Sequence, residues 1–255
     1  MSRTRRRSLA LAACAAVVLV AAVATAQRGR GGRGGWGRMA IEPNVPYDGE
    51  FTFVRLRYTN FGPSGWAFDY PAMERNFSTI LHALTTVHPH RRGSNIHTMD
   101  DPELFNYTVA YLSEPGYWLP NDREAAGLRN WLTRGGFLIV DDFLFDQWAN
   151  FEQAMRKVLP MARFVRLDQA HPIFDAFFRI ASLDGLYHPG TPEATAQYYG
   201  IYEDNDPAKR LMVIVNYNND IGDYMEWSGQ GWYPVNMSND AYKFATNYII
   251  YGLTR

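Results

Sequence analysis

The chain has 255 residues, 47% of them apolar and 15% aromatic, which suffices for one large domain or two small ones. Residues 1–38 contain eight arginines and no acidic residue, so the remaining 17 basic and 26 acidic residues carry a formal net charge of −9. An acidic domain repels phosphate backbones, and we expect no nucleic-acid binding by the folded part. Cys14 is the single cysteine, so residues 27–255 contain no disulfide, thiolate metal ligand or cysteine nucleophile.

Residues 1–26 have the pattern of a secretory signal peptide. Four arginines lie within positions 3–7, an almost unbroken apolar run covers 8–23, and Ala24-Thr25-Ala26 offers small residues to a signal peptidase. We predict cleavage before Gln27 and export to the periplasm or cell envelope, by the general or the twin-arginine route. The alternative is a retained membrane anchor, because this apolar run is near the shortest length that spans a bilayer.

The residues after the signal divide into a linker and one domain. Residues 27–45 are rich in Gly and Arg and are predicted to form a flexible linker. The domain over 46–255 begins with alternating apolar and polar residues at 51–58, which predict a strand. Asp69 is then predicted to cap a helix that has Pro71 in its first turn.

A second strand is predicted over 107–113. Asn121 and Glu124 have the spacing of a capping box and start a helix predicted over 123–134. The sequence FLIV at 137–140 is an unbroken apolar run, which is typical of a strand buried on both faces of a parallel sheet.

The second half continues the same alternation. We predict a helix over 147–159, strands over 163–167 and 211–215, and a final helix over 239–253, with a long loop at 183–205. Alternating strands and helices predict an α/β domain with an open, mostly parallel sheet that is covered on both faces.

Three of the predicted strands end in acidic or amide residues. Glu114 follows the second strand, Asp141 and Asp142 follow the FLIV strand, and Asn219 and Asp220 follow the last buried strand. Ligands of open α/β sheets bind outside the carboxyl ends of the strands. We therefore predict that these side chains converge on one ligand-binding crevice.

Asp141 and Asp142 have two interpretations. Paired carboxylates hold a divalent metal, accept sugar hydroxyls or act as a base. In the structural alternative, Asp142 caps the next turn and Asp141 accepts backbone N–H groups. His171 is likewise an acid, a base or a metal ligand near neutral pH, or a turn histidine with a satisfied ring. No cofactor is predicted beyond such a divalent metal.

The aromatic clusters and the absence of several catalytic motifs limit the functions that the sequence allows. Exposed aromatic faces suit the stacking of sugar rings, whereas the common role of these residues is packing in cores and loops. The clusters are Tyr117 and Trp118; Tyr198, Tyr199 and Tyr202; and Trp227, Trp232 and Tyr233. The sequence has no P-loop, no G-x-G-x-x-G after a strand, no H-E-x-x-H and no G-x-S-x-G.

Six short motifs, in this order and spacing, resemble the domain of unknown function family DUF4159. They are RLRY at 55–58, GGFLIVDD at 135–142, HPIF at 171–174, GI at 200–201, RLMVIVNYNND at 210–220 and NYIIY at 247–251. The resemblance implies a three-layer flavodoxin-like sandwich of the class I glutamine amidotransferase-like superfamily, and HPI is similar to its trehalose-utilisation (ThuA-like) branch. Amidotransferases have a Cys after the strand that matches FLIV. Asp141, Asp142 and Phe143 take that place here, so amidotransferase chemistry is not expected.

Three functions remain open. The leading hypothesis is a non-catalytic binding or assembly domain of the bacterial envelope, whose crevice holds a small polar ligand such as a sugar. The second is a metal-assisted hydrolase, in which Asp141 or Asp142 binds the metal or acts as base and His171 transfers the proton. The third is a scaffold that binds another envelope protein through Trp227 and Trp232.

Overall fold

A seven-stranded sheet is the centre of the structure, a computed structural model that describes residues 41–61, 65–91 and 93–255. The predicted signal peptide and residues 27–40 of the predicted linker lie outside the described residues. Glu42–Arg255 form one unit by their internal contacts. Within the described ranges, no helix has the length and apolarity that a membrane crossing requires.

The sheet is parallel except at one edge. Its strands are β1 (Val54–Arg57), β2 (Asn95–Thr98), β3 (Val109–Ser113), β4 (Phe137–Asp141), β5 (Val165–Arg166), β6 (Gln197–Tyr202) and β7 (Leu211–Tyr217). They lie in the order β2-β1-β3-β4-β7-β6-β5. The first five in this order are parallel, whereas β6 and β5 run antiparallel to their neighbours.

Five α-helices of the described residues pack on the two faces of this sheet. They are α1 (Ala72–Leu84), α2 (Asp122–Thr133), α3 (Gln147–Val158), α4 (Ile221–Glu226) and α5 (Val235–Thr254). The capping box predicted for α2 is confirmed, since Asn121 accepts from the Glu124 N–H while the Glu124 side chain accepts from the Asn121 N–H.

Alternating side chains of the central strands pack into two separate hydrophobic cores, one on each face of the sheet. In β4, Phe137 and Ile139 pack with α1, α4 and α5, whereas Leu138 and Val140 pack with α2 and α3 on the other face. Every residue of β3 and β4 is buried, because the side-chain period of two sends half of each strand into each core. The predicted mixed α/β class with a mostly parallel sheet is confirmed.

Several element predictions are corrected. The segment 183–205, predicted as a loop, contains strand β6, which pairs with β7 through residues that include three tyrosines. The short edge strand β2 and the six-residue helix α4 have too few residues to show a periodic pattern, and both were missed. Asp69 does not cap α1: it has a left-handed backbone (φ 64°), and Pro71 occupies the N-cap position.

We expect Asn121→Ala to lower the free energy of unfolding by about 1 kcal/mol, because the N–H groups of Arg123 and Glu124 lose their acceptor. The melting temperature should fall by roughly 2–4 °C in a domain of this size. Asn239→Ala changes an exposed helical asparagine and is the control. Equal melting temperatures for the two variants would contradict a stabilising capping box.

Candidate functional site

Acidic side chains from three different connections meet at the carboxyl edge of the parallel strands. Asp69 lies in the loop after β1, Asp142 directly follows β4, and Asp220 directly precedes α4 in the connection after β7. From β1 the chain continues to β2, toward one edge of the sheet, and from the neighbouring β3 it continues to β4, toward the other edge. This edge is therefore a topological switch point, the place where open α/β sheets bind ligands.

Asp141 lies at the centre of this edge and accepts backbone N–H groups, as the structural alternative from the sequence predicts. Its Oδ2 accepts from the Tyr111 hydroxyl at 2.8 Å and from the Ile221 and Gly222 N–H groups at 2.9 and 3.1 Å. Asn216 Nδ2 donates to Oδ1 at 3.0 Å. Burial raises the pKa of Asp141 to about 7, against the lowering effect of the Tyr111 hydrogen bond.

Asp142 turns away from the strand into a polar group with His188 and Asp220. Its backbone is left-handed (φ 63°), and its N–H donates to the Asn219 carbonyl at 3.2 Å, which joins the loops after β4 and β7. Its carboxylate lies 3.4 Å from His188 Nε2 and 3.4 Å from Ser113 Oγ. Candidate ligand atoms of Asp142, His188 and Asp220 all lie within 4.8 Å of one another.

The hydrogen bonds of His188 assign its ring a donor role. The Gly190 N–H donates to Nδ1 at 3.2 Å, which leaves the ring proton of a neutral imidazole on Nε2. Nε2 lies 3.4 Å from Asp142 Oδ1. With the proton on Nε2, neither ring nitrogen of His188 is free to bind a cation, and the free ligand atoms at this position are carboxylate oxygens.

A second group beside the first consists of carboxylates alone. Candidate ligand oxygens of Asp69, Asp223 and Glu226 lie within 4.8 Å of one another. Asp69 Oδ2 is inaccessible to solvent and has no hydrogen-bond partner. A Cβ added to Gly222 would lie 2.7 Å from Asp69 Oδ2 and 3.4 Å from Asp220 Oδ1, so the two groups meet across this glycine. We call the two groups together the acidic cluster: Asp69, Asp142, Asp220, Asp223 and Glu226, with His188.

The carboxylates of the acidic cluster repel one another. Burial raises the pKa of Asp69 and of Asp220 well above the ordinary range, and the charge of Asp142 is the second cause for both. Burial also raises the pKa of Asp223 and of Glu226. Like charges at this separation cannot all ionise without a compensating positive charge.

Little positive charge from the protein compensates the acidic cluster. Among the described residues, no Lys or Arg forms an ion pair with any of its five carboxylates. Arg55 lowers the pKa of Asp69 at longer range, but its guanidinium is bonded to Glu74 at 2.5 Å and to the Trp66 and Phe68 carbonyls. Protons or a bound cation are therefore the available sources of neutralisation.

The other residues predicted for this site lie in different surroundings. Glu114 lies directly after β3. Burial raises the pKa of Tyr58, and the negative charges of Glu114 and Asp142 raise it further. Asn219 is buried, accepts from the Asp220 N–H and donates to Tyr198. Its side chain is used within the fold.

His171 does not join the acidic cluster. Its Nδ1 accepts from the Ile173 N–H at 3.2 Å, and its ring lies against Tyr202 and Tyr251. Tyr202 pairs with Leu211, the first residue of β7, so His171 lies at the amino edge of the parallel strands. The expectation that it lies near Asp141 and Asp142 is therefore wrong.

Sequence analysis missed four members of the acidic cluster. The pattern around Asp69 predicts a helix cap, and His188 lies in a segment with no periodic pattern. Asp223 and Glu226 lie in α4, too short to be recognised from periodicity. A helical spacing of acids directly after Asp220 was the one available signal.

The acidic cluster has the chemistry of a site for a hard divalent cation. Calcium, magnesium and manganese ions take carboxylate oxygens, and calcium accepts six to eight of them in irregular geometry. A separate group of Asp48, Glu50 and His90 has similar spacing but lies at the surface, with His90 Nε2 3.1 Å from Asp48. Its acids are exposed, and burial does not raise their affinity for a cation.

Comparison with known proteins identifies a family without identifying an activity. The family described as domain of unknown function (DUF4159) matches residues 52–253, which include every member of the acidic cluster. A search among proteins of curated function finds no match.

In the presence of a chelator, we expect the melting temperature to fall as the pH rises from 5 to 7.5. A carboxyl group with a raised pKa binds more protons in the folded than in the unfolded chain, so stability falls between its two pKa values. For Asp141 this interval runs from 3.8 to about 7. His171, whose pKa burial lowers, has the opposite slope, but the raised carboxyls outnumber it.

The measurement is thermal unfolding of the domain in EDTA at closely spaced pH values. A fall of about 5 °C or more is expected, since one unit of pKa shift corresponds to about 1.4 kcal/mol. Asp223→Asn should make the slope shallower, and the exposed Asp100→Asn should leave it unchanged. A melting temperature that rises or stays constant over this interval would refute the electrostatic description.

Proposed function

The chain belongs to the DUF4159 family, and we propose that its domain is an exported, non-catalytic binding module that holds a hard divalent cation in the acidic cluster. A small polar ligand, such as a sugar, would bind to the remaining coordination positions of that cation. The observation that carries the proposal is the trio of Asp69, Asp223 and Glu226, whose oxygens lie within 4.8 Å while Asp69 Oδ2 has no donor.

The electrostatics of the acidic cluster support a cation more than a neutral ligand. Five carboxylates with no Lys or Arg ion pair in the described chain leave a local negative charge that a neutral sugar cannot compensate. A cation takes the place of the protons that the raised pKa values of Asp220 and Asp223 favour. Binding therefore uses charge that is already desolvated, and no counter-ion of the protein has to be displaced.

The order of the strands supports the finer fold assignment. Counted along the chain, the parallel strands β2, β1, β3, β4 and β7 have the order 2-1-3-4-5, as in the flavodoxin-like arrangement. We propose on this ground a three-layer flavodoxin-like sandwich, related to the glutamine amidotransferase-like superfamily. Asp142, with its left-handed backbone after β4, then occupies the turn at which those enzymes have their cysteine.

The proposed location outside the cytoplasm rests on the sequence of residues 1–26. Extracytoplasmic calcium reaches concentrations at which carboxylate sites of modest affinity are filled. Export therefore suits a site of oxygen ligands. The partner would be a small polar ligand or another protein of the envelope.

A metal-assisted hydrolase is the second candidate, and the position of His188 favours it. This half-buried histidine lies 3.4 Å from Asp142 and beside the proposed cation, where it would transfer the proton that the sequence assigned to His171. In that case a cation-bound water would be the nucleophile. The proton-transfer role would belong to His188 alone, because His171 lies at the opposite edge of the sheet.

We expect calcium or manganese to raise the melting temperature of the domain by roughly 5–10 °C when present at 100 times its dissociation constant, since binding then adds about 2.7 kcal/mol. Zinc should give a smaller shift, because the Gly190 N–H occupies His188 Nδ1 and keeps the proton on Nε2. Asp220→Asn and Asp223→Asn should each abolish most of the calcium shift. His171→Gln is the matched control and should retain the full shift. No shift with any of the cations would refute the cation site and favour the scaffold hypothesis.

A hydrolysis assay separates the two candidates. The calcium- or manganese-loaded domain should not turn over nitrophenyl phosphates, esters or glycosides if it is a binding module. A hydrolase would show turnover that His188→Gln abolishes while the cation-dependent melting shift persists. Turnover that survives His188→Gln would contradict proton transfer by this histidine.

A further inference from the structure

A groove lies on the α3 face of the domain, apart from the acidic cluster. This open groove of about 540 Å³ runs between α3, the segment 160–164 and β6. Its aromatic lining is Trp148, Phe164 and Tyr199, and its charged lining is Glu152, Arg156 and Arg163. None of these residues belongs to the acidic cluster, so the groove is independent of the proposed cation site.

The aromatic lining is only partly used by the core. The Trp148 ring lies 4.7 Å from Tyr199 and 5.3 Å from Phe164, centroid to centroid, and all three side chains remain half-buried. Behind them, Trp148 packs on Tyr217 at 4.9 Å and on the buried Phe151 at 5.7 Å. The core therefore fixes the orientation of rings whose other surfaces line the groove.

The charged lining combines one fixed and one unpaired guanidinium. Glu152 accepts from Trp148 Nε1 at 3.0 Å and from Arg156 at 2.6 Å, and Arg156 lies over the Phe164 ring at 5.7 Å. Arg163 is exposed, and its guanidinium makes no ion pair or hydrogen bond to any described residue. Two arginines and one glutamate give this groove a net positive charge in a domain that is otherwise acidic.

The segment that carries Arg163 is held in place before any ligand binds. Asn205 accepts from the Arg163 N–H at 2.8 Å and donates to the Met161 carbonyl at 2.8 Å. Arg156 Nη1 also donates to the Ala162 carbonyl at 3.0 Å. A preformed wall lowers the entropic cost of binding.

We propose that this groove binds an acidic saccharide, one whose rings carry a single carboxylate, such as a uronic acid. The apolar C–H face of a pyranose ring would pack on the exposed parts of Trp148 and Tyr199, whose rings are inclined at 50° to each other. The hydroxyls and carboxylate would meet Glu152 and Arg163. A guanidinium with free donors binds a carboxylate in a two-pronged arrangement. The single unpaired guanidinium of Arg163 can pair with the carboxylate of the ring that lies next to it.

Calorimetric titration of the domain with trigalacturonate, maltotriose and AMP tests this assignment. Trigalacturonate should bind at least about tenfold more tightly than maltotriose or AMP, because only it supplies one carboxylate per ring to Arg163. EDTA should leave its affinity unchanged, since the groove and the acidic cluster share no residue. The two proposals can therefore fail separately. Absence of a calcium-induced melting shift would leave the saccharide result unchanged, and absence of saccharide binding would leave the proposed cation site unchanged.

Substitutions in the groove provide the decisive comparison. Arg163→Ala should weaken trigalacturonate binding about tenfold or more, and Arg163→Lys should recover part of the loss, since a lysine keeps the charge but not the two-pronged geometry. Trp148→Leu should weaken binding of every saccharide, and circular dichroism checks its folding. Arg179→Ala, an exposed arginine elsewhere, should bind like the unaltered protein.

Three outcomes would overturn the proposal. The first is no binding of trigalacturonate up to 10 mM, about the weakest affinity that calorimetry measures. The second is equal affinity for maltotriose or AMP. The third is an Arg163→Ala variant that binds trigalacturonate as tightly as the unaltered protein does.

Discussion

The hydrogen bonds of the Asp141 carboxylate hold together the elements that form the acidic cluster. This single side chain, at the end of β4, accepts from Tyr111 of β3, from Asn216 of β7 and from two N–H groups at the start of α4. Tyr248 of α5 extends the network by donating to Asn216 at 2.8 Å. Loss of any of these four donors would leave a buried carboxylate less well paired, which is costly, so the network favours one position of α4 relative to the sheet.

The position of α4 in turn determines the electrostatics of the site. Asp220, Asp223 and Glu226 occupy or directly precede this short helix, and Gly222 has no side chain to separate them from Asp69. Burial and mutual repulsion raise the pKa values of these acids, while the protein provides no Lys or Arg ion pair for them within the described residues. The fold thus concentrates negative charge where an α/β sheet binds its ligands, and a divalent cation is the partner that this charge favours.

The two proposed sites divide the surface of the domain by charge. The acidic cluster lies at the carboxyl edge of the parallel strands, whereas the aromatic groove lies over α3 and the antiparallel β6. One site uses desolvated carboxylates and the other uses aromatic faces with arginine. A domain that binds a cation at one place and an acidic saccharide at another would be well suited to the polyanionic polymers of a cell envelope.

Local pattern and tertiary structure decided different parts of this protein. The sequence alone determined the buried strands at 137–140 and 211–215 and the capping box of Asn121 and Glu124, because each depends on the period of a strand or the spacing within one turn. The convergence of Asp142 and Asp220 was an expectation from the fold class, and it depends on the pairing of β4 with β7. The sequence did not determine β6, α4 or the place of His188, because their contacts come from residues far away along the chain. Asp141 and Asp142 are adjacent in sequence but have different surroundings. The carboxylate of Asp141 is hydrogen-bonded within the fold, whereas that of Asp142 belongs to the acidic cluster. Only the tertiary structure separates them, since the distinction rests on which backbone N–H groups a distant loop brings to each carboxylate.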